Sequence, residues 1–154
     1  MAEKTADIKM STASKTRKNL AYLQKQKDPR TVPEGRVPAT QYLFVREEDG
    51  KIVGMIDIRH CLSEYLERYG GHIGYSVAPD ERRRGYATRM LKAAFPACRQ
   101  LGIDSVLIFC ARGNEGSRRT ILRNGGVFEA VVDGPDGKEK LERYRIDLIR
   151  GPGC

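Results

Sequence analysis

The segment that most constrains this chain is a strand-to-helix junction. His72-Ile73-Gly74-Tyr75-Ser76-Val77-Ala78-Pro79 runs directly into Asp80-Glu81-Arg82-Arg83-Arg84-Gly85-Tyr86-Ala87-Thr88-Arg89-Met90-Leu91. The first half is short, β-branched and aromatic, and Pro79 stops it; the second opens a helix whose first turn carries Gly85 and Ala87 among arginines. A helix N-terminus exposes unpaired N–H groups and the positive end of the helix dipole, so a phosphate placed there gains several hydrogen bonds without a dedicated side chain. Small residues let the backbone come close. Downstream, Ala87, Met90, Leu91, Ala94, Cys98 and Leu101 recur at three- and four-residue steps and form a helical stripe ended by Gly102. Pro96 lies inside that stripe and predicts a kink or an early end to the regular helix. Ser105 to Cys110 is an unbroken apolar run, the pattern of a fully buried strand. Strand, helix, strand in that order implies a parallel crossover.

Around this unit, Gln41 to Arg46 and Lys51 to Arg59 read as a hairpin turned by Asp49-Gly50. Ser63 to Tyr69 has helical spacing and ends at Gly70-Gly71. Asn114 is placed to cap a short helix through Ile121 and Leu122 that closes at Asn124-Gly125-Gly126. A last strand spans Leu141 to Ile149. At the start, Ile8 to Met10 reads as a short strand, Thr12 to Gln26 as a basic helix with Leu20 and Leu23 inward, and Asp28 to Gly35 as a linker. The 154 residues, 40% hydrophobic, support one domain over 1–154. Within it, 1–36 form a basic segment and linker, 37–149 the core, and 150–154 a disordered tail.

Composition narrows the classes of function. No apolar run approaches the roughly 20 residues needed to span a bilayer, and the polar start has no signal-peptide core, so the expectation is a cytoplasmic protein without membrane attachment. Cys61, Cys98, Cys110 and Cys154 show no metal-ligand spacing and no disulfide framework, so no metal is expected. Cys98 and Cys110 read as small buried apolar residues. The net charge of +8 raises a nucleic-acid hypothesis. Residues 1–36 hold nine basic and four acidic residues and the remainder nineteen and sixteen, so the excess sits mostly at the start, where Tyr22 is the only aromatic. A solvated helix face accounts for it better than nucleic-acid contact.

The junction lacks both the dinucleotide G-x-G-x-x-G fingerprint and a glycine-lysine triphosphate loop. What it has is Arg82-x-x-Gly85-x-Ala87, which resembles the acyl-coenzyme A loop of the GNAT superfamily of N-acetyltransferases. Asn114, Ser117, Gly125 and Phe128 resemble that superfamily's next motif, whose asparagine lies beside the pantetheine arm; here Gly125-Gly126 inserts one residue before the aromatic. Helix capping is the alternative role for Asn114, and the two can coexist. A tighter resemblance is to a predicted acetyltransferase subgroup, carried by Val37 to Thr40, Ile52 to His60, Gly70 to Val77 and Arg143 to Ile146.

The resemblance implies an α/β (α+β) fold with a mixed, mostly antiparallel central sheet, helices on both faces and a parallel, splayed strand pair at the acyl-CoA site. It implies acetyl-CoA as cosubstrate, bound by Val77, Ala78, Arg82, Arg83, Arg84, Gly85, Tyr86, Ala87, Thr88, Asn114 and Ser117, and an amine acceptor seated under the Cys61 to Gly71 connection. The amine loses its proton and attacks the thioester directly, while backbone N–H groups near Val77 and Ala78 polarise the carbonyl. By analogy, two copies pair as a homodimer.

Catalytic residues follow less directly. The family's proton-donating tyrosine falls at Ile121, which cannot donate. His72, opening the strand, is the first candidate base, against a structural role hydrogen-bonded to backbone. Glu64 and His60 are further candidates near the acceptor, with an ion pair to Arg59 or Arg68 as the alternative for Glu64. Asp57 shares a strand face with Met55 and Arg59 and has a core polar role open to it. Tyr144 is the candidate acid. A Cys110 acyl-enzyme has no neighbouring histidine in sequence to activate it. A non-catalytic CoA-binding module is the alternative function, motivated by Ile121, and a basic nucleic-acid-associated protein the more remote one.

Overall fold

A computed structural model of the protein describes residues 7–12 and 35–149. The basic helix and most of the linker expected over 12–35, and the tail over 150–154, lie outside the described residues. Among the described residues, seven strands and two α-helices follow in order: β1 Ile8–Thr12, β2 Ala39–Arg46, β3 Ile52–Arg59, β4 Ile73–Val77, α1 Tyr86–Gln100, β5 Ser105–Ala111, α2 Glu115–Arg123, β6 Val127–Asp133 and β7 Lys140–Asp147. β1 runs through Thr12, where a helix start was expected. A π-helical turn at Leu66–Gly70 precedes β4, and a 3-10 turn at Pro79–Glu81 follows it.

The strands form two antiparallel sheets, β1-β2-β3-β4 and β5-β7-β6. Asp49-Gly50 turns the β2–β3 hairpin as its dipeptide demands, with Gly50 at φ 71°. The buried residues Phe44, Val53, Ile56, Ile58 and Ile73 line one face of the first sheet, and α1 covers them with Met90, Leu91, Ala94 and Cys98. Gly54 is a packing requirement. A Cβ there would lie 2.6 Å from the Met90 side chain and 2.7 Å from the Ser76 carbonyl oxygen. α1 continues through Pro96 to Gln100 and does not end early, because Ala97 and Cys98 beyond the proline are buried and extend the stripe.

One short joint connects the two sheets. The His72 N–H donates to the Leu107 carbonyl at 2.8 Å, and the Leu107 N–H donates to His72 Nδ1 at 2.9 Å. Beside it, Gly71 bridges Ile108. Gly71 has φ 68° and ψ −168°, a backbone region that is essentially glycine-only, and a Cβ there would fall 2.3 Å from the Leu107 carbonyl oxygen. The expected splayed pair is therefore β4 and β5, held at one end and in separate sheets beyond it. Gly71→Ala should destabilise by at least about 2 kcal/mol, lowering the melting temperature by roughly 4–8 °C. An unchanged melt would remove the joint as the point where the sheets are fixed.

Candidate acyl-transfer site

The site follows from hydrogen-bond alternation along β4. Arg59 donates its N–H to the His72 carbonyl at 2.7 Å, and Ala78 donates to the Val53 carbonyl at 2.8 Å. Between those anchors the register pairs Ile58 with Ile73, Ile56 with Tyr75 and Gly54 with Val77. Antiparallel pairing alternates, so the N–H and C=O groups of Ile73, Tyr75 and Val77 point away from β3. They face the side where β5 would continue the sheet. Of the two amides expected at the reacting carbonyl, that of Ala78 is engaged with Val53 and that of Val77 points away from β3.

The gap is a cavity of about 290 Å³ whose walls include Ile73, Gly74 and Tyr75 from β4, Phe109 and Cys110 from β5, and Asn114 and Ser117 at the start of α2. Asn114 fills both of its expected places: Oδ1 accepts from the Ser117 N–H at 3.1 Å as a helix cap, and the residue lines the cavity. Tyr75 was not singled out as a functional residue in the sequence. Its hydroxyl is 2.6 Å from Ser117 Oγ, and burial, the largest cause, raises its pKa, so the phenol keeps its proton at neutral pH. Burial likewise pushes the Cys110 thiol up to about 11, which leaves it a poor nucleophile.

At the far end of β4 stands the arginine loop. Glu81 is 4% exposed and takes Arg46 Nη1 at 2.7 Å, Lys51 Nζ at 3.0 Å and Arg84 Nη1 at 3.5 Å. This buried carboxylate, also missed in the sequence, ties the loop to the β2–β3 hairpin, and the hydrogen bonds from Lys51 and Arg46 hold its pKa below the usual range. Arg82, Arg83 and Arg84 are exposed; Arg82 Nε reaches the Val77 carbonyl at 3.3 Å. Gly85 precedes α1 at φ 79°, with no side chain capping the helix. A Cβ on Gly85 would meet no protein atom within 4 Å. The open backbone, the uncapped N–H groups and three exposed guanidiniums fit the phosphates of an acyl-CoA. Ala87 and Thr88 sit in that first turn, and the Thr88 carbonyl takes Asn124 Nδ2 at 3.1 Å, fastening α2 to α1. The Tyr86 side chain is buried, with its hydroxyl 3.4 Å from Arg46, so only its backbone is available to a ligand.

The three catalytic candidates are not brought together. His72, Glu64 and Tyr144 line neither this cavity nor a second one beside it. His72 is the sheet joint: it is 8% exposed and its Nδ1 accepts from backbone. Glu64 points to solvent and pairs with Arg68 at 2.8 Å. Tyr144 is 1% exposed, stacks edge-on against Phe128 and donates to Glu142; burial and that carboxylate push its pKa up to about 12. His60 is hydrogen-bonded to Thr40 at 2.7 Å. Ile121 is fully buried, and Gly126 packs on it so tightly that a Cβ there would lie 2.3 Å from Ile121 Cγ2. The extra glycine accommodates that side chain.

The acetyltransferase (GNAT) family model matches residues 9–125, and the chain belongs to that family of acyltransferases, which use acetyl-CoA. Solved structures share the fold. A mutant form of the spermidine/spermine N-acetyltransferase SpeG from Vibrio cholerae superposes with a TM-score of 0.66 at 11% identity, over 93% of this chain and 96% of that one. A spermidine N-acetyltransferase from Vibrio cholerae in complex with CoA and spermine gives 0.64 at 11% identity, over 92% and 96%. A candidate phosphinothricin N-acetyltransferase gives 0.65 at 16% identity, over 92% and 99%. No curated protein sequence matches. Among the described residues there is no group of side chains that could hold a metal ion, and no helix long and apolar enough to cross a membrane.

The joint makes stability depend on pH. Burial, then the charge of Arg145, lowers the His72 pKa below its ordinary value. The folded protein therefore favours the neutral ring, and the unfolded chain binds the proton more readily. This contribution is fully present above about pH 6.5, the ordinary histidine value, and is lost as pH falls through the lowered folded value. Melting temperatures measured from pH 8 to 5 should drop on the acid side in the native protein. The drop should be shallower in His72→Asn, whose Oδ1 can accept from Leu107 without titrating.

Proposed function

We propose that the chain transfers an acetyl group from acetyl-CoA to a primary amine by direct attack, at the cavity between β4 and β5. The Tyr75 phenol and the Asn114–Ser117 cap at that cavity, with the Val77 amide turned away from β3 further along the same strand edge and an uncapped, arginine-flanked helix beyond it, support this reading. Acetyl-CoA supplies an activated thioester. The loop and the first turn of α1 hold its phosphates, the Val77 N–H polarises the carbonyl, and proximity provides most of the acceleration, a contribution of about 7–11 kcal/mol in well-aligned pairs. As the new C–N bond forms and the C–S bond breaks, the electron pair goes to sulfur, and the Tyr75 hydroxyl donates the proton that the thiolate takes up. The proton that the amine nitrogen sheds goes to solvent, from which Tyr75 is reprotonated; His72 does not take it, because its Nδ1 holds the sheet joint.

Two measurements test this. Saturating acetyl-CoA should raise the melting temperature of the native protein by several degrees and should not raise that of Gly85→Glu, whose new side chain has room in the protein but occupies the ligand's approach. Equal shifts in the two proteins would place the donor elsewhere. With an accepted amine, Tyr75→Phe should lower kcat about 100-fold with a small change in the KM for acetyl-CoA, measured by thiol release. An unchanged kcat would take the proton-donor role from Tyr75.

A further inference from the structure

The second cavity, about 420 Å³, lies against the opposite face of β3 from α1 and is lined by Arg36, Asp57, Arg59, Ser63, Tyr65 and neighbouring apolar residues. Arg59 lines both cavities. Its Nη1 donates to the Gly70 carbonyl at 3.1 Å and more weakly to that of Gly71 at 3.4 Å. Its Nε and Nη2 have no acceptor among the described residues. Nη2 lies over Gly74, where an added Cβ would be 3.2 Å away, so the guanidinium reaches the edge of the first cavity from a strand that also borders the second. Asp57 is directly opposite Gly74 in the ladder and two residues from Arg59 on the same strand face. Among the described residues its carboxylate makes no hydrogen bond or ion pair, and its charge acts on Arg59.

A partly buried guanidinium with two unfilled donor positions is built for a planar carboxylate, which takes two parallel hydrogen bonds. The unfilled donor face of the Arg59 guanidinium repels a polycation and attracts a carboxylate. Resting on the acetyl-transfer reading above, we infer that the acceptor is a zwitterionic amine of the amino-acid type. Its carboxylate is held by Arg59, which borders both cavities, and its ammonium is received by Asp57. The ammonium gives one proton to Asp57. The freed amine forms the C–N bond across the gap at Gly74 as the C–S bond breaks, and the nitrogen's second proton leaves to solvent while sulfur takes that of Tyr75.

The test compares thiol release from acetyl-CoA with matched acceptors: phenylalanine against phenethylamine, lysine against cadaverine, and spermidine. The native protein should prefer the amino acid of each pair by at least about 10-fold in kcat/KM, and spermidine should be the poorest acceptor. Arg59→Gln should erase the preference, lowering kcat/KM for the amino acid while leaving the decarboxylated partner within a few-fold. Should Arg59→Gln fail to fold, Asp57→Asn provides the second arm, with kcat/KM for the amino acid falling at least 10-fold and melting temperature retained. Faster turnover of the decarboxylated amines or spermidine by the native protein, equal loss on both members of a pair in Arg59→Gln, or undiminished turnover of the amino acid in Asp57→Asn overturns the inference and leaves acetyl transfer standing. Absence of any thermal shift with acetyl-CoA, or a shift with no thiol release from any amine, overturns the transfer reading and this inference with it.

Discussion

The two hydrogen bonds between His72 and Leu107 organise this molecule. Through its carbonyl, amide and ring nitrogen, His72 joins β3, β4 and β5, its ring standing in for backbone between the two sheets. Because the sheets are fastened at one end, β4 and β5 diverge beyond it. The divergence leaves the Tyr75 and Val77 amides without a strand partner. In a continuous sheet those groups would be consumed by the ladder. In this molecule Tyr75 stands in the wall of a cavity and the Val77 amide is left open on the same strand edge, so an interaction that holds the fold together also leaves backbone free beside the proposed site.

Charged groups are used for position at two other points. Glu81 is buried and gathers Arg46, Lys51 and Arg84, which sets the path of the loop and lets the remaining arginines stay exposed. Arg143 links the π-helical turn to the second sheet, donating to the Glu67 carbonyl at 3.0 Å and to Glu129 at 3.1 Å, with its guanidinium 5.8 Å from the Phe109 ring. The connection that covers the cavities is thereby fixed from the sheet beneath it. Removing a buried carboxylate such as Glu81 would strand several cations, and the damage would fall on the loop before it reached the core.

Much of the fold was legible in the sequence because it follows from local rules. The Asp49-Gly50 turn, the α1 stripe, the β5 apolar run and the Asn114 cap each depend on residues within a few positions of one another. The phosphate loop was legible for the same reason, since Gly85 and its arginines form one turn of chain. The early end that Pro96 allowed does not occur: its local cost is outweighed by burial of Ala97 and Cys98 against partners distant in sequence. Tyr75, Glu81 and Arg59 went unassigned because their partners are Ser117, Arg46 and the Gly70 carbonyl, and no spacing rule connects those positions.

By itself, the sequence determined the element order, the anion-binding turn at α1 and the absence of a tyrosine at position 121. These are matters of hydrophobic period, glycine placement and residue identity. Only the tertiary structure decided which titratable groups meet. It turned His72 from a candidate base into the sheet joint, sent Glu64 to solvent, buried Tyr144 against Glu142, and put Tyr75 and Arg59 at the cavities. The physical reason is strand alternation combined with the single joint. A one-residue change in register or in the point where β4 leaves β5 would exchange the inward and outward sets, and that register is set by packing across the whole sheet.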